Sequence, residues 1–169
     1  MANALGGTVR KARCRPAGTA SIFLCCLRYL LFNFRPMHSL YQKASPLTET
    51  IIAAAIEVHR DKGPGLIESI YEWCLIKELE LRGIACVCQK SVLIRYKQFT
   101  REESLRCDVL VEGCVLVEVK AVEKVVPIHK AMLMSYMKLL DVPLGLVINF
   151  HELKVTAGIS RMILPGANR

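Results

Sequence analysis

The chain has 169 residues, 53% of them hydrophobic and 22% charged, which excludes an intrinsically disordered chain and leaves room for one domain with a buried core. Its formal charge is +8, yet seven of the 23 basic residues and none of the 15 acidic ones lie in residues 1–47. The remainder, 16 basic against 15 acidic residues, is close to neutral, so a nucleic-acid site on it must be a local patch.

Residues 1–46 read as a basic and apolar extension, expected to be poorly ordered. A domain follows at 47–164, and then a short tail at 165–169. The run Ser21 to Phe34, SIFLCCLRYLLFNF, follows a basic start as in a signal peptide. Arg28 interrupts it, no small-residue cleavage site follows, and it is short for a bilayer crossing, so no transmembrane span is expected. A basic segment without acids also suits an organelle transit peptide. The plainer expectation is a functional start at Met37 and a cytoplasmic protein.

In the domain, Ser45-Pro46 predicts a helix start, with Ser as cap and Pro at the first helical position. Ile51, Ile52, Ala55, Ile56 and His59 recur at helical spacing, and Gly63-Pro64-Gly65 ends the helix near Lys62. A second helix from about Leu66 carries Ile67, Ile70, Tyr71, Cys74, Leu75 and Leu79, with Gly83 as its stop. Ile84–Val87 and Ser91–Tyr96 predict strands, and polar Lys97–Ser104 a loop. Leu105–Val111 and Cys114–Ala121 predict two strong strands joined by a hairpin at Glu112-Gly113. A crossover helix from Pro127 to about Leu140 leads to a buried strand at Leu146–Phe150 and a last strand or pair within Leu153–Leu164. That order predicts an α/β domain with a mixed central sheet flanked by helices.

The eight cysteines fall mostly in apolar periodic segments, where Cys behaves as a small hydrophobe. Cys86, Cys88, Cys107 and Cys114 could make a four-thiolate zinc site, but their pair is CxC rather than a CxxC knuckle. Free thiols in a reducing compartment are the expectation.

The hairpin carries the chemistry. With period-two alternation, Val115, Val117, Val119 and Ala121 share one face and Leu116, Glu118 and Lys120 the other. Cys107, Val109 and Val111 match the apolar face. A three-residue loop with Gly113 left-handed puts Asp108 beside Glu118 and Lys120, diagonal to Glu118. Two carboxylates in a half-dry cleft raise each other's pKa, and a divalent cation relieves them. Oxygen-only ligation suits Mg²⁺ or Mn²⁺. Lys120 would then orient or help deprotonate the attacking water, or stabilise charge on a phosphate. The plain alternative is a structural salt bridge, since E-x-K is common on solvated faces.

Gly65-Leu66-Ile67-Glu68-Ser69-Ile70-Tyr71 fits a GxxExxY signature. Together with AIEVHRDKGPGL, LRCDVLVEG, VEVKAVE and GLVINF in order, the chain resembles the GxxExxY proteins of the PD-(D/E)XK nuclease superfamily. The resemblance covers about Leu47 to Leu164. It implies that Asp108, Glu118 and the Val119 carbonyl ligate a metal, that Lys120 is the catalytic lysine, and that Glu68 supplements the site. It also marks one departure. The crossover helix of such proteins tends to read H-x-A-Q-x-x-x-Y, whereas here His129 and Tyr136 flank Met132 at the Gln position. Lys90, Arg95, Lys97, Arg101 and Arg106 are the candidate nucleic-acid contacts, against the alternative of solvated strand edges. Three functions follow: a Mg²⁺-dependent nuclease on DNA or RNA, a nuclease-fold protein that binds without cutting, or an assembly module using the N-terminal apolar run.

Overall fold

The computed structural model describes residues 37–169. The signal-like run and the rest of the extension lie outside the described residues.

Helix α1 spans Tyr41–Lys62. It begins before Ser45, so Pro46 sits inside the helix rather than at its first position. The burial of Ala44, with Leu40, Tyr41 and Leu47 against the same core, favours the extra turn. The carbonyl that Pro46 leaves without an N–H partner belongs to exposed Gln42, where water can satisfy it. Thr48 donates its hydroxyl to the Ser45 carbonyl (2.7 Å). Ile51, Ala54, Ala55 and Val58 form the buried face. The helix ends at Gly63, whose φ of 66° is open to glycine.

Helix α2 spans Glu68–Leu81 and buries Tyr71, Cys74, Leu75 and Leu79. Ile67 and Ile70, expected in that stripe, are exposed instead. Tyr71 stacks on Phe150 (centroids 4.5 Å apart). Its hydroxyl donates to the Gly63 carbonyl (2.6 Å) and accepts from the Leu66 amide (3.1 Å). One phenol thus ties down the turn that aims Glu68.

The sheet has five strands in sequential order: β1 Cys86–Tyr96, β2 Phe99–Val111, β3 Val115–Lys120, β4 Leu144–Asn149 and β5 Ile159–Ile163. All neighbours are antiparallel except β3 and β4, which are parallel and joined through helix α3, Pro127–Leu140. A 3₁₀ turn, Val155–Gly158, precedes β5. This is the mixed, helix-flanked α/β sheet expected. The two expected strands at 84–96 are one strand. Lys97–Ser104 is not a loop, because Phe99–Ser104 continues β2 and pairs with Ser91–Tyr96. The polar composition there reflects a hairpin exposed to solvent rather than a lack of pairing.

Side-chain alternation gives the sheet two apolar faces. Val109, Val111, Val115, Val117, Val119, Leu144, Leu146 and Ile148 pack on α1 and α2. Leu110, Leu116 and Val147 pack on Leu133 and Met137 of α3. Each large side chain removed from water contributes roughly 1.5–3 kcal/mol, so both layers weigh in the fold. The tail is tied back to the start of the described chain, for the His38 amide donates to the Ala167 carbonyl (3.0 Å). Among the described residues no helix is long and apolar enough to cross a membrane.

Candidate active site

The β2–β3 hairpin has the predicted three-residue loop: Val111 pairs with Val115, Leu110 with Leu116 and Val109 with Val117. Glu112 and Gly113 both take positive φ (51° and 67°). Glu112 is anchored there by Lys43 (2.8 Å) and the Ala85 amide (2.9 Å).

The ladder stops at Val109. On its other edge β2 is bulged. Val87 pairs with Leu110 and Gln89 with Arg106, so Cys88 alone faces Cys107, Asp108 and Val109. A bulge breaks the alternation and re-aims the side chains within it. Cys107 consequently leaves the face of Val109 and Val111 and joins Leu110 and Leu116 on the α3 side. Asp108 turns toward β3, and its Oδ2 accepts from the Val119 amide (2.8 Å) in place of a ladder bond. The hairpin register, continued past its last pair, sets Asp108 against Glu118 rather than diagonal to it.

Lys120 is the hub. Its Nζ lies 2.8 Å from Glu118 Oε1, 3.5 Å from Glu68 Oε2 and 3.9 Å from Asp108 Oδ2. It also donates to the Val119 carbonyl (3.0 Å). The Lys120 and Glu118 side chains are only 12% and 7% exposed. Glu68 arrives from the first turn of α2 and accepts from the Ala121 amide (3.2 Å). Three carboxylates from three elements thus meet one ammonium, leaving excess negative charge in a largely dry place.

The ionisation follows from that. Burial pushes the Asp108 carboxyl above its usual range, only partly countered by the Val119 N–H and by Lys120. Burial likewise raises Glu118 against its hydrogen bond to Lys120. Burial pulls the Lys120 ammonium down, but Glu118, Asp108 and Glu68 together overcome this and leave it raised.

Carboxylate and backbone oxygens are the hard ligands that Mg²⁺ and Mn²⁺ prefer, and burial raises both Asp108 and Glu118. Among the described residues, however, no three His, Cys, Asp or Glu side chains converge closely enough to hold an ion. Lys120 stands between the carboxylates and occupies the Val119 carbonyl. The donors present are of the kind that would hold a divalent cation, but among the described residues they are not gathered around one point.

Two further residues belong here. Glu72, one turn after Glu68 on α2, is raised by burial and then by the charge of Asp108. Its i, i+4 spacing from Glu68 was a readable signal. Asn149 is fully buried and pairs with Lys120 across the parallel ladder. Its amide donates to the Val122 carbonyl (2.8 Å) and accepts from the Val122 amide (3.1 Å), clamping the chain where it leaves β3. The signal was a polar residue closing an otherwise apolar strand.

The other expected residues are spread out. Lys90 and Arg101 share one face of the β1–β2 hairpin, Arg95 and Arg106 the other, and Lys97 lies in its turn. Arg106 stands near enough to lower Asp108 and Glu72. On α3 the buried residues are Leu133 and Met137. Met132 is exposed, Tyr136 packs beside the α3 core, and His129 Nδ1 accepts from the Val126 amide (3.4 Å). A groove of about 290 Å³ between α1 and α2 includes Trp73 and Leu81 and none of the clustered carboxylates.

Compared with known proteins, residues 45–162 match a family model described as the PD-(D/E)XK nuclease superfamily. No curated protein and no solved structure matches the chain.

Proposed function

The chain belongs to the PD-(D/E)XK nuclease superfamily, and from this premise we propose that it is a divalent-metal-dependent nuclease of the GxxExxY type. The observation that carries the reading is the buried Lys120 ammonium within 4.0 Å of carboxylates from β2, β3 and α2. Asp108, Glu118 and the Val119 carbonyl would hold Mg²⁺ or Mn²⁺, which would supply Lewis acidity and positive charge for the phosphodiester oxygens. Lys120, released from Val119, turns its ammonium to the phosphate and steadies the charge that grows there. Glu68 holds the β3 exit through the Ala121 amide and keeps Lys120 aimed. Asn149 fixes the next residue, Val122.

The test is calorimetric titration of Mg²⁺ and Mn²⁺ into the full chain beside an Asp108→Asn/Glu118→Gln variant, followed by cleavage of labelled DNA and RNA. Binding and cleavage that both vanish in the variant support the reading. Wild type that takes up no metal and cuts nothing, with its fold intact, defeats it.

A second reading is a nuclease-fold module that binds without cutting. Met132 favours it: it is exposed at the position where the resemblance to GxxExxY proteins implies Gln, and a thioether cannot donate a hydrogen bond. Metal uptake without turnover, with cleavage appearing in Met132→Gln, identifies this case.

A further inference from the structure

The outer part of the β1–β2 hairpin is an arm. Eight consecutive pairs, from Gln89–Arg106 out to Tyr96–Phe99, lie beyond the bulge. Among the described residues β2 has no third strand across that length, because its pairing with β3 ends at Val109. The arm leads away from the carboxylate cluster: Arg106 at its base acts on Asp108, and Lys97 turns its tip.

Its composition differs from the rest of the domain. Residues 89–106 carry Lys90, Arg95, Lys97, Arg101 and Arg106 against Glu102 and Glu103. A net charge of +3 therefore rests on a short hairpin of a domain that is otherwise close to neutral. Directly paired at the tip are two aromatic rings, Tyr96 and Phe99, 66% and 63% exposed. Opposite partners on an antiparallel ladder point to one side, so both rings lie on one face, with Ile94 and Arg101 next and Arg101 paired to Glu103 there. Lys97 Nζ stands over the Tyr96 ring, 5.3 Å from its centroid, so a cation already lies beside the rings. A cross-strand aromatic pair can serve only to hold a hairpin, but large apolar surfaces left this wet among cations suit a ligand that is both flat and anionic.

We infer that the arm binds single-stranded nucleic acid. Unpaired bases stack on Tyr96 and Phe99, while Lys97 at the turn and Arg101 and Lys90 on the same face neutralise phosphates along the arm. Duplex bases are already stacked on one another, so exposed rings select for an unpaired strand. The inference rests on the nuclease reading for its substrate class, but its test is separate from cleavage.

The probe is a fluorescently labelled oligodeoxythymidine of about 15 nucleotides, followed by anisotropy on the full chain in EDTA, beside a duplex of the same length. Expected is preference for the single strand and a loss of about tenfold or more in Tyr96→Ala/Phe99→Ala. Tyr96→Phe should keep the affinity, since it keeps the ring. Lys97→Asn, which tolerates the left-handed turn, should lower the slope of log affinity against log salt by about 0.7. Circular dichroism and melting of each variant separate lost stacking from a lost hairpin, and Tyr96→Leu/Phe99→Leu keeps apolar bulk without the π face. Equal binding of duplex and single strand, or indifference to both double variants, overturns the inference. So does a dimer that light scattering shows to need the two rings, which would make a second copy the occupant. Binding that depends on the rings without any cleavage leaves the arm standing and removes the nuclease reading. Cleavage with unchanged KM in the double variants does the reverse.

Discussion

Asp108 stands where two demands conflict. Its backbone bond to Val119 favours a carboxylate, yet burial and the neighbouring acids favour the neutral acid. Burial prevails and the carboxyl is raised, as is that of Glu118. A carboxyl raised in the fold contributes stability that is full below its unfolded pKa and is lost as pH rises through its folded one. The metal-free protein at neutral pH therefore carries a penalty that Asp108→Asn removes, while the amide oxygen can still accept from Val119. The variant should be more stable than wild type by about 1 kcal/mol at pH 7 without metal. The gap should close toward pH 4, and Mg²⁺ should raise the melting temperature of wild type alone. Melting curves in EDTA and in Mg²⁺ at the two pH values check this. A variant less stable at pH 7 would mean that the Val119 bond outweighs the charge conflict.

Packing of α3 on β4 shows how an element is held. The helix settles on Gly145, where a Cβ would meet Met137 Sδ at 2.6 Å and Leu133 at 3.0 Å. Gly145→Ala should cost about 1–3 kcal/mol by overpacking, read as a shift in the denaturant midpoint. Met137 and Leu133 are both fully buried, so neither has free space to move into. No change in midpoint would show that α3 rides loosely. The hairpin and α3 were legible in the sequence because their signals are local: Glu112-Gly113 between alternating strands, and Pro127 ahead of a helical period. The α3 crossover followed from element order. What stayed hidden depends on partners far along the chain. Nothing in Leu105–Asp108 announces the bulge that turns Asp108 toward Val119. Phe99–Ser104 is polar enough to read as loop until β1 is set beside it. Pro46 reads as a helix start because the burial of Ala44 is a tertiary fact. The carboxylates and the Lys120 ammonium beside them could be listed from register and resemblance, but not Glu72 and Asn149 at their side.

At the scale of the molecule, stability should be graded along the sheet. The centre, β3 and β4, is covered on both faces, with every residue of β4 buried. An opening that exposes its amides must break both apolar layers, which amounts to global unfolding. The arm from Gln89 to Arg106 has one ladder and one mostly exposed face on each side. Two strands alone are marginal in water, so the arm can open while the sheet holds. Hydrogen exchange should find the arm amides from Gln89 to Tyr96 exchanging at least about a hundredfold faster than those of Val115–Val119. The exception should be near Val92, which is only 8% exposed. If arm and centre exchange alike, the hairpin is part of the cooperative unit. If the arm is the fast region, strand binding should slow it selectively. A segment that orders on its ligand pays entropy at that moment, which favours a contact that releases its strand after each encounter over one that retains it.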